Sequence, residues 1–193
     1  MLATSFDIQL PAWVTEEVAH AGALPDLAER MALVIKLSAM NVSQGTGGPF
    51  AAAVFDREHA TVLSVGVNLV VASGYSCAHA ELVALTLAQQ KTGSFDLGSS
   101  AHYELLSSAE PCTMCLGAIV WSGVEHMACA ARGTDVEAIG FDEGPKPADW
   151  AEALRQRGID VSVDVARAAA RQVLDKYRAA GGAIYNAKRQ AKR

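Results

Sequence analysis

The sequence has 193 residues, of which 51% are hydrophobic and 19% are charged, and its formal net charge is −5. This length suits one domain with a buried core, and the composition excludes a disordered chain. The acidic balance disfavours a nucleic-acid partner, because a phosphate backbone repels negative charge. We find neither the pattern of a signal peptide nor an apolar run that could span a bilayer, so we expect a cytoplasmic protein.

The first predicted elements are a helix and a β-hairpin. Apolar residues at helical spacing predict an amphipathic helix that begins after Pro25 and ends before the glycines of 45–48. Two strand-like runs follow at 50–55 and 61–68, and the polar turn Asp56-Arg57-Glu58-His59 between them indicates a hairpin. The next predicted helix covers about 78–90.

The second half of the chain alternates strands with helices. The predicted strands lie at 103–106, 126–131 and 159–163, and the predicted helices begin at Pro111 or cover 148–157 and 167–178. This alternation predicts a three-layer α/β/α sandwich, and the hairpin makes its five-stranded sheet mixed. We find no internal repeat and no long linker, so we predict a single domain over residues 1–193.

Two motifs at predicted helix starts carry the residues of a metal site. His79-Ala80-Glu81 opens the helix after the hairpin, and Cys112-Thr113-Met114-Cys115 opens the helix at Pro111. An imidazole and two thiolates suit zinc, and three protein ligands leave the fourth position open, as catalytic sites require. His79, Cys112 and Cys115 are therefore the predicted ligands of Zn²⁺.

Glu81 is the predicted proton carrier. A glutamate beside the open position can take a proton from water and pass it to a leaving amine. Residues two apart on a regular helix point about 200° apart, so Glu81 and His79 can face one ion only if His79 lies at the helix boundary. The two motifs together are typical of zinc deaminases. The residues alone leave open a redox pair of cysteines, or a structural zinc site closed by Cys77.

Beyond these motifs, the sequence resembles the cytidine-deaminase-like superfamily and, within it, bacterial guanine deaminases, including the branch that also accepts the triazine ammeline. The segments that carry the resemblance are Gly47-Gly48-Pro49-Phe50, Asn68, His79-Ala80-Glu81, Glu110 to Cys115, and Gly117 to Trp121. Most of them also occur in tRNA adenosine deaminases. The stretch Thr134 to Pro145 resembles guanine deaminases alone, and it places Glu143 where they carry a second active-site carboxylate, usually an aspartate.

The resemblance implies hydrolysis of guanine to xanthine and ammonia, with Glu81 and Glu143 as catalytic carboxylates. The substrate-binding residues that it implies are Phe50, Asn68, Ala80, Trp121, Phe141 and Tyr185. It also implies a homodimer whose C-terminal tail, residues 183–193, can exchange between subunits so that Tyr185 closes the neighbouring pocket. Two alternative functions stay open, namely adenosine deamination in tRNA and a non-catalytic zinc-containing binding module.

Overall fold

The computed structural model of the chain describes residues 2–99 and 101–187. The strands in these ranges are β1 (Ala51–Asp56), β2 (Thr61–Val67), β3 (Tyr103–Ala109), β4 (His126–Ala131) and β5 (Asp160–Ser162). The helices are α1 (Ala12–Val18), α2 (Leu27–Ser43), α3 (Val70–Ser73), α4 (Ala80–Thr92), α5 (Thr113–Ser122), α6 (Gly133–Ala138), α7 (Trp150–Arg155) and α8 (Arg167–Ala179).

The five strands form one mixed sheet in the order β2-β1-β3-β4-β5. Strand β1 runs antiparallel to both of its neighbours, whereas β3, β4 and β5 are parallel to one another. The prediction of a mixed five-stranded sheet is therefore confirmed.

Alternate residues along the strands enter two separate hydrophobic cores. Ala53 and Leu106 face the core shared with α1, α2, α6 and α8, whereas Val54 and Leu105 face the core shared with α4, α5 and α7. Because successive side chains of a strand point to opposite faces, helices cover both sides of the sheet. This confirms the three-layer α/β/α sandwich.

Helix α4 packs unusually close to strand β2. A Cβ atom added at Gly66 of β2 would lie 2.1 Å from the backbone oxygen of Ala80 and 2.6 Å from the backbone nitrogen of Ala84. Only glycine permits this approach, and it fixes the start of α4 against the sheet.

The main differences from the sequence-based expectations concern short elements and helix starts. The short helices α1, α3 and α6, of 4 to 7 residues, were missed because they are too short to show a clear helical period. Helices α4 and α5 each begin two residues later than predicted, because His79 and Cys112 are their N-caps. In the described ranges no helix combines the length and the apolar character needed to span a bilayer.

Candidate active site

The three predicted metal ligands lie at the starts of two neighbouring helices. His79 is the N-cap of α4 (φ −72°, ψ 151°), Cys112 is the N-cap of α5 (φ −69°, ψ 173°), and Cys115 lies in the first turn of α5. The extended backbone at His79 frees its ring from the 100° rotation of the helix, so that it can face the same point as Glu81. The expected position of His79 at the helix boundary is confirmed.

The ligand atoms are spaced as a tetrahedral zinc ion requires. His79 Nδ1 lies 3.5 Å from Cys112 Sγ and 3.6 Å from Cys115 Sγ, and all three atoms are within 4.8 Å of one another. Zinc–sulfur bonds of about 2.3 Å and zinc–nitrogen bonds of about 2.0–2.1 Å at tetrahedral angles place nitrogen and sulfur about 3.5 Å apart. The donor set therefore fits zinc in both chemistry and distance.

The described residues supply this cluster with three ligands and no fourth. Cys77 is exposed and lies outside the group of atoms that could share an ion. A structural zinc site normally closes with a fourth protein ligand, so the arrangement argues against the closed site considered from the sequence. An open coordination position is what a hydrolytic centre needs.

The surroundings of the two sulfur ligands shift their pKa values in opposite directions. A hydrogen bond with Cys115 lowers the pKa of the Cys112 thiol to about 4, and hydrogen bonding to His79 favours the thiolate further. The same contact with Cys112, together with burial, raises the pKa of Cys115. Cys112 is thus held as a thiolate at the N-terminus of α5, where the helix dipole also favours negative charge.

Glu81 lies in the first turn of α4 and is almost completely buried. Its side chain lines the same pocket as His79, and only 6% of the residue is exposed. Burial raises the pKa of the Glu81 carboxyl, and the charge of Cys112 raises it further, whereas His79 lowers it. A carboxyl whose pKa lies above its ordinary value can hold a proton as well as accept one, which suits a proton carrier.

Beside these groups lies a cavity of about 470 Å³ with aromatic walls. The Phe50 and Phe141 rings meet edge to face with centroids 5.2 Å apart, and Tyr185 packs on Phe141 with centroids 4.8 Å apart. The volume lies in the range of about 300–1,000 Å³ that is usual for small-molecule sites. A pocket of this kind suits a flat aromatic ring.

Asn68 enters this pocket from the end of β2 and is held by a residue that the sequence analysis missed. Asn41 of α2, which is fully buried, donates from Nδ2 to the backbone oxygens of Gly48 (2.8 Å) and Asn68 (2.9 Å). Asn68 Oδ1 accepts a hydrogen bond from the Val70 amide at 3.3 Å. The only sequence signal for Asn41 is a polar residue on the apolar face of an amphipathic helix.

Glu143 lies in the loop between α6 and α7 and faces the same pocket. Its backbone oxygen accepts hydrogen bonds from the amide (3.1 Å) and hydroxyl (3.2 Å) of Thr113, which fasten the loop to the start of α5. Burial and the charge of Cys112 raise the pKa of the Glu143 carboxyl to about 8. Its Oε2 is buried without a hydrogen-bond partner among residues 2–99 and 101–187. The residue lines the cavity, where a substrate can contact its carboxyl group.

Tyr185 covers the pocket of its own chain. A Cβ atom added at Gly48 would lie 2.4 Å from the Tyr185 hydroxyl oxygen. This oxygen, like Glu143 Oε2, has no hydrogen-bond partner in the described part of the chain. Asn186 holds the segment in place, since it accepts from the Asp142 amide (3.0 Å) and donates to the Gly140 oxygen (2.9 Å). Exchange of this segment between subunits stays a prediction. The basic residues of 188–193 lie outside the described residues.

Two predicted substrate-binding side chains do not reach the pocket. Trp121 is 82% exposed on the outer face of α5, because Cys115 and Ile119 take the inner face, so it does not line the pocket of its own chain, and its contact with a substrate stays a prediction. The side chain of Ala80 is buried in the core between α4 and the sheet, and it does not line the cavity. Contact between Ala80 and a substrate would therefore be made by its backbone amide, which has no partner within the helix.

Comparisons with known proteins agree with this geometry. Residues 26–131 match the family described as the cytidine and deoxycytidylate deaminase zinc-binding region. A guanine deaminase of Bacillus subtilis (strain 168) is 36% identical over 109 residues, which cover 56% of this chain and 67% of that enzyme. A tRNA-specific adenosine deaminase of Haemophilus influenzae is 33% identical over 88 residues, and the match spans 46% of this chain and only 49% of that enzyme.

Solved structures give a longer match. The structure of guanine deaminase from Nitrosomonas europaea is 43% identical, covers 93% of this chain and 99% of its own, and superposes with a TM-score of 0.87. A structure solved in complex with 2,6-diaminopurine is 45% identical, covers 94% of this chain and 97% of its own, and has a TM-score of 0.88.

Proposed function

Because this chain belongs to the cytidine and deoxycytidylate deaminase zinc-binding family, and within it to the guanine deaminases, we propose that it hydrolyses guanine to xanthine and ammonia. The observation that carries the proposal is one pocket in which a three-ligand zinc site, two buried carboxylates and aromatic walls meet. The non-catalytic module considered from the sequence is disfavoured, because such a module needs neither an open zinc position nor Glu81.

His79, Cys112 and Cys115 would hold the zinc ion, which would act as a Lewis acid and lower the pKa of the attacking water. Glu81 accepts the proton that water loses as its oxygen attacks C2 of guanine. It then donates a proton to the amino nitrogen, which leaves as ammonia when its bond to C2 breaks. The Glu81 carboxyl, buried in the pocket beside the metal ligands, suits both transfers.

Asn68 and Glu143 orient the ring at the polar edges of the pocket. The Asn68 amide can donate one hydrogen bond and accept another, as the mixed edge of a purine requires. Glu143 lines the same space, and its carboxyl group can bind or protonate a ring nitrogen. The rings of Phe50, Phe141 and Tyr185 exclude water, which strengthens these polar contacts.

We extend the proposal to ammeline as a second substrate. Ammeline is a flat aminated ring that presents donors and acceptors like the amino-bearing side of guanine, so the same polar groups can hold it. A triazine fills less of the cavity than a purine and makes less contact with the aromatic walls. We therefore expect weaker binding than for guanine.

We also propose that the protein is a homodimer and that a second copy covers the outer face of α5. Trp121 (82% exposed) and Met114 (37% exposed) lie on this face, and a Cβ at Gly117 between them would meet nothing within 4 Å. A large apolar patch is typical of a protein–protein interface. Trp121→Glu should convert the dimer into a monomer in analytical ultracentrifugation, and a dimer unchanged by this substitution would refute the assignment of the interface.

The cytoplasm remains the proposed location, because free cysteine ligands persist best in a reducing compartment.

The proposed function is tested by measuring ammonia release from guanine, ammeline, guanosine, cytosine, adenine and tRNA with fully zinc-loaded protein. We expect ammonia to be released fastest from guanine. Glu81→Gln should lower turnover by at least about 100-fold while zinc content stays full. Glu137→Gln, at an exposed position of α6, is the matched control and should leave turnover unchanged. Release from tRNA alone, or from none of these compounds, would refute the proposal.

A further inference from the structure

Lys146 is a nearly buried cation between two carboxylates at the edge of the pocket. Its Nζ lies 2.9 Å from Glu110 Oε2 and 3.9 Å from Glu143 Oε2, and the three side chains are 12%, 15% and 10% exposed. The ammonium also lies 5.5 Å from the centroid of the Trp150 ring, where a cation–π contact is favourable. Nothing in the reaction described above uses Lys146 or Glu110.

Glu110 is the fixed member of this group. Its backbone amide donates to the Ala131 oxygen at 2.8 Å and so extends the pairing of β3 with β4. Its Oε2 accepts a further hydrogen bond from the Gly133 amide at 3.0 Å. A Cβ at Gly133 would lie 2.9 Å from Lys146 Nζ and 3.2 Å from Glu110 Oε2, so a glycine at this position leaves room for the ion pair.

Glu143 is the member that has to stay available. The ammonium of Lys146 is within hydrogen-bonding distance of Glu110 but not of Glu143, whose Oε2 keeps no hydrogen-bond partner among the described residues. At 3.9 Å the cation still attracts the Glu143 carboxylate without closing a hydrogen bond. Glu110 therefore holds Lys146 back from a closed pair with Glu143.

We propose that Lys146, anchored by Glu110, is a positioning residue that holds the Glu143 loop against the metal-binding helix and leaves the Glu143 carboxylate free for the substrate. This inference rests on the proposed function. It explains why two residues outside the reacting groups form a largely buried ion pair, which is costly unless each charge is matched.

The test compares Lys146→Met, Lys146→Arg and Glu110→Gln with wild type in steady-state kinetics on guanine. Removing the cation should displace the Glu143 carboxylate by about 1 Å and lower kcat/KM by about 100-fold, with zinc content unchanged. Arginine should restore part of the loss. Glu110→Gln should release Lys146 onto Glu143 and lower kcat/KM by about 10-fold. Lys176→Met, on the exposed face of α8, is the matched control and should have no effect.

A double-mutant cycle separates positioning from a structural role. In a Glu143→Ala background, Lys146→Met should change kcat/KM by less than about 2-fold, because its effect acts through Glu143. An equal loss in both backgrounds, or wild-type kinetics for Lys146→Met, would overturn the proposal. If Lys146→Met does not fold, the same cycle is run with Glu110→Gln. An equal loss of kcat/KM with and without Glu143 would then overturn the proposal.

A crystal structure of the Lys146 variant gives a readout that does not need activity. Displacement of the Glu143 carboxylate relative to wild type supports the positioning role even if guanine proves not to be the substrate. An unmoved carboxylate overturns it. Inactive wild-type protein on guanine refutes only the proposed function.

Discussion

Replacing Gly48 by alanine should push Tyr185 away from the pocket without disturbing the fold. Gly48 does not have a positive φ, so its backbone accepts alanine. The added Cβ would lie 2.4 Å from the Tyr185 hydroxyl oxygen and 3.0–3.1 Å from two of the ring carbons. Tyr185 belongs to a segment after the last helix, and this segment can move more easily than the core around Gly48.

The size of the effect follows from the displacement. An ordinary contact needs about 3.4 Å, so the ring must retreat by about 1 Å, which weakens its packing on Phe141. An aromatic pair contributes about 0.5–1.5 kcal/mol beyond its buried area. If closure over the substrate loses this contribution, kcat/KM for guanine should fall by about 2- to 12-fold, since 1.36 kcal/mol corresponds to a factor of ten.

The assay is ammonia release from guanine, run beside thermal unfolding. We expect Gly48→Ala to lower kcat/KM and to leave the melting temperature nearly unchanged. Gly22→Ala, where a Cβ meets nothing within 4 Å, is the matched control and should have wild-type kinetics. The reasoning is refuted if Gly48→Ala has full activity, or if it causes the same loss in a Tyr185→Ala background, where there is no ring to displace.

Four other outcomes are expected. Asn41→Asp keeps the shape of the side chain but removes both amide donors. It should lower the free energy of unfolding in urea titrations by about 2 kcal/mol or more, and it should raise KM by misplacing Asn68. Unchanged stability and KM would contradict this. Gly66→Ala should push α4 off the sheet and lower both melting temperature and zinc retention, and a variant with full zinc would show that the close packing is dispensable. Hydrogen bonds from Arg167 lower the pKa of Asp135, so this ion pair stabilises the fold above about pH 4. The stabilisation is lost as the pH falls through the lowered pKa. The urea midpoints of wild type and Asp135→Asn should therefore converge in acid. Removal of zinc by a chelator should lower the melting temperature and abolish turnover, and zinc alone should restore both.

The metal centre was predictable because its geometry is local. His79 and Glu81 are two residues apart, Cys112 and Cys115 are three apart, and each pair lies at one helix start. A short-range pattern therefore determines most of the arrangement. The layer architecture was predictable for a similar reason, because the alternation of strands and helices is a property of the whole chain.

The residues that were missed depend on distant contacts. Asn41 holds Asn68 across 27 positions, and Lys146 meets Glu110 across 36. No periodicity or spacing reports such a pairing. The outward position of Trp121 was not predictable from the sequence either, because it depends on the packing of α5, which turns Cys115 and Ile119 inward.

The metal ligands and Glu81 lie at two helix starts that pack against the sheet. The groups around the substrate ring come from the connecting segments 44–50, 68–69 and 140–147 and from the tail before residue 188. The residues of the metal centre and the residues that select the substrate thus lie in different segments of the chain. Point changes in the loops can redirect the enzyme to another aminated ring while the ion and its proton carrier stay intact. Laboratory evolution toward new nucleobase analogues should therefore randomise these loops and leave the two helices alone.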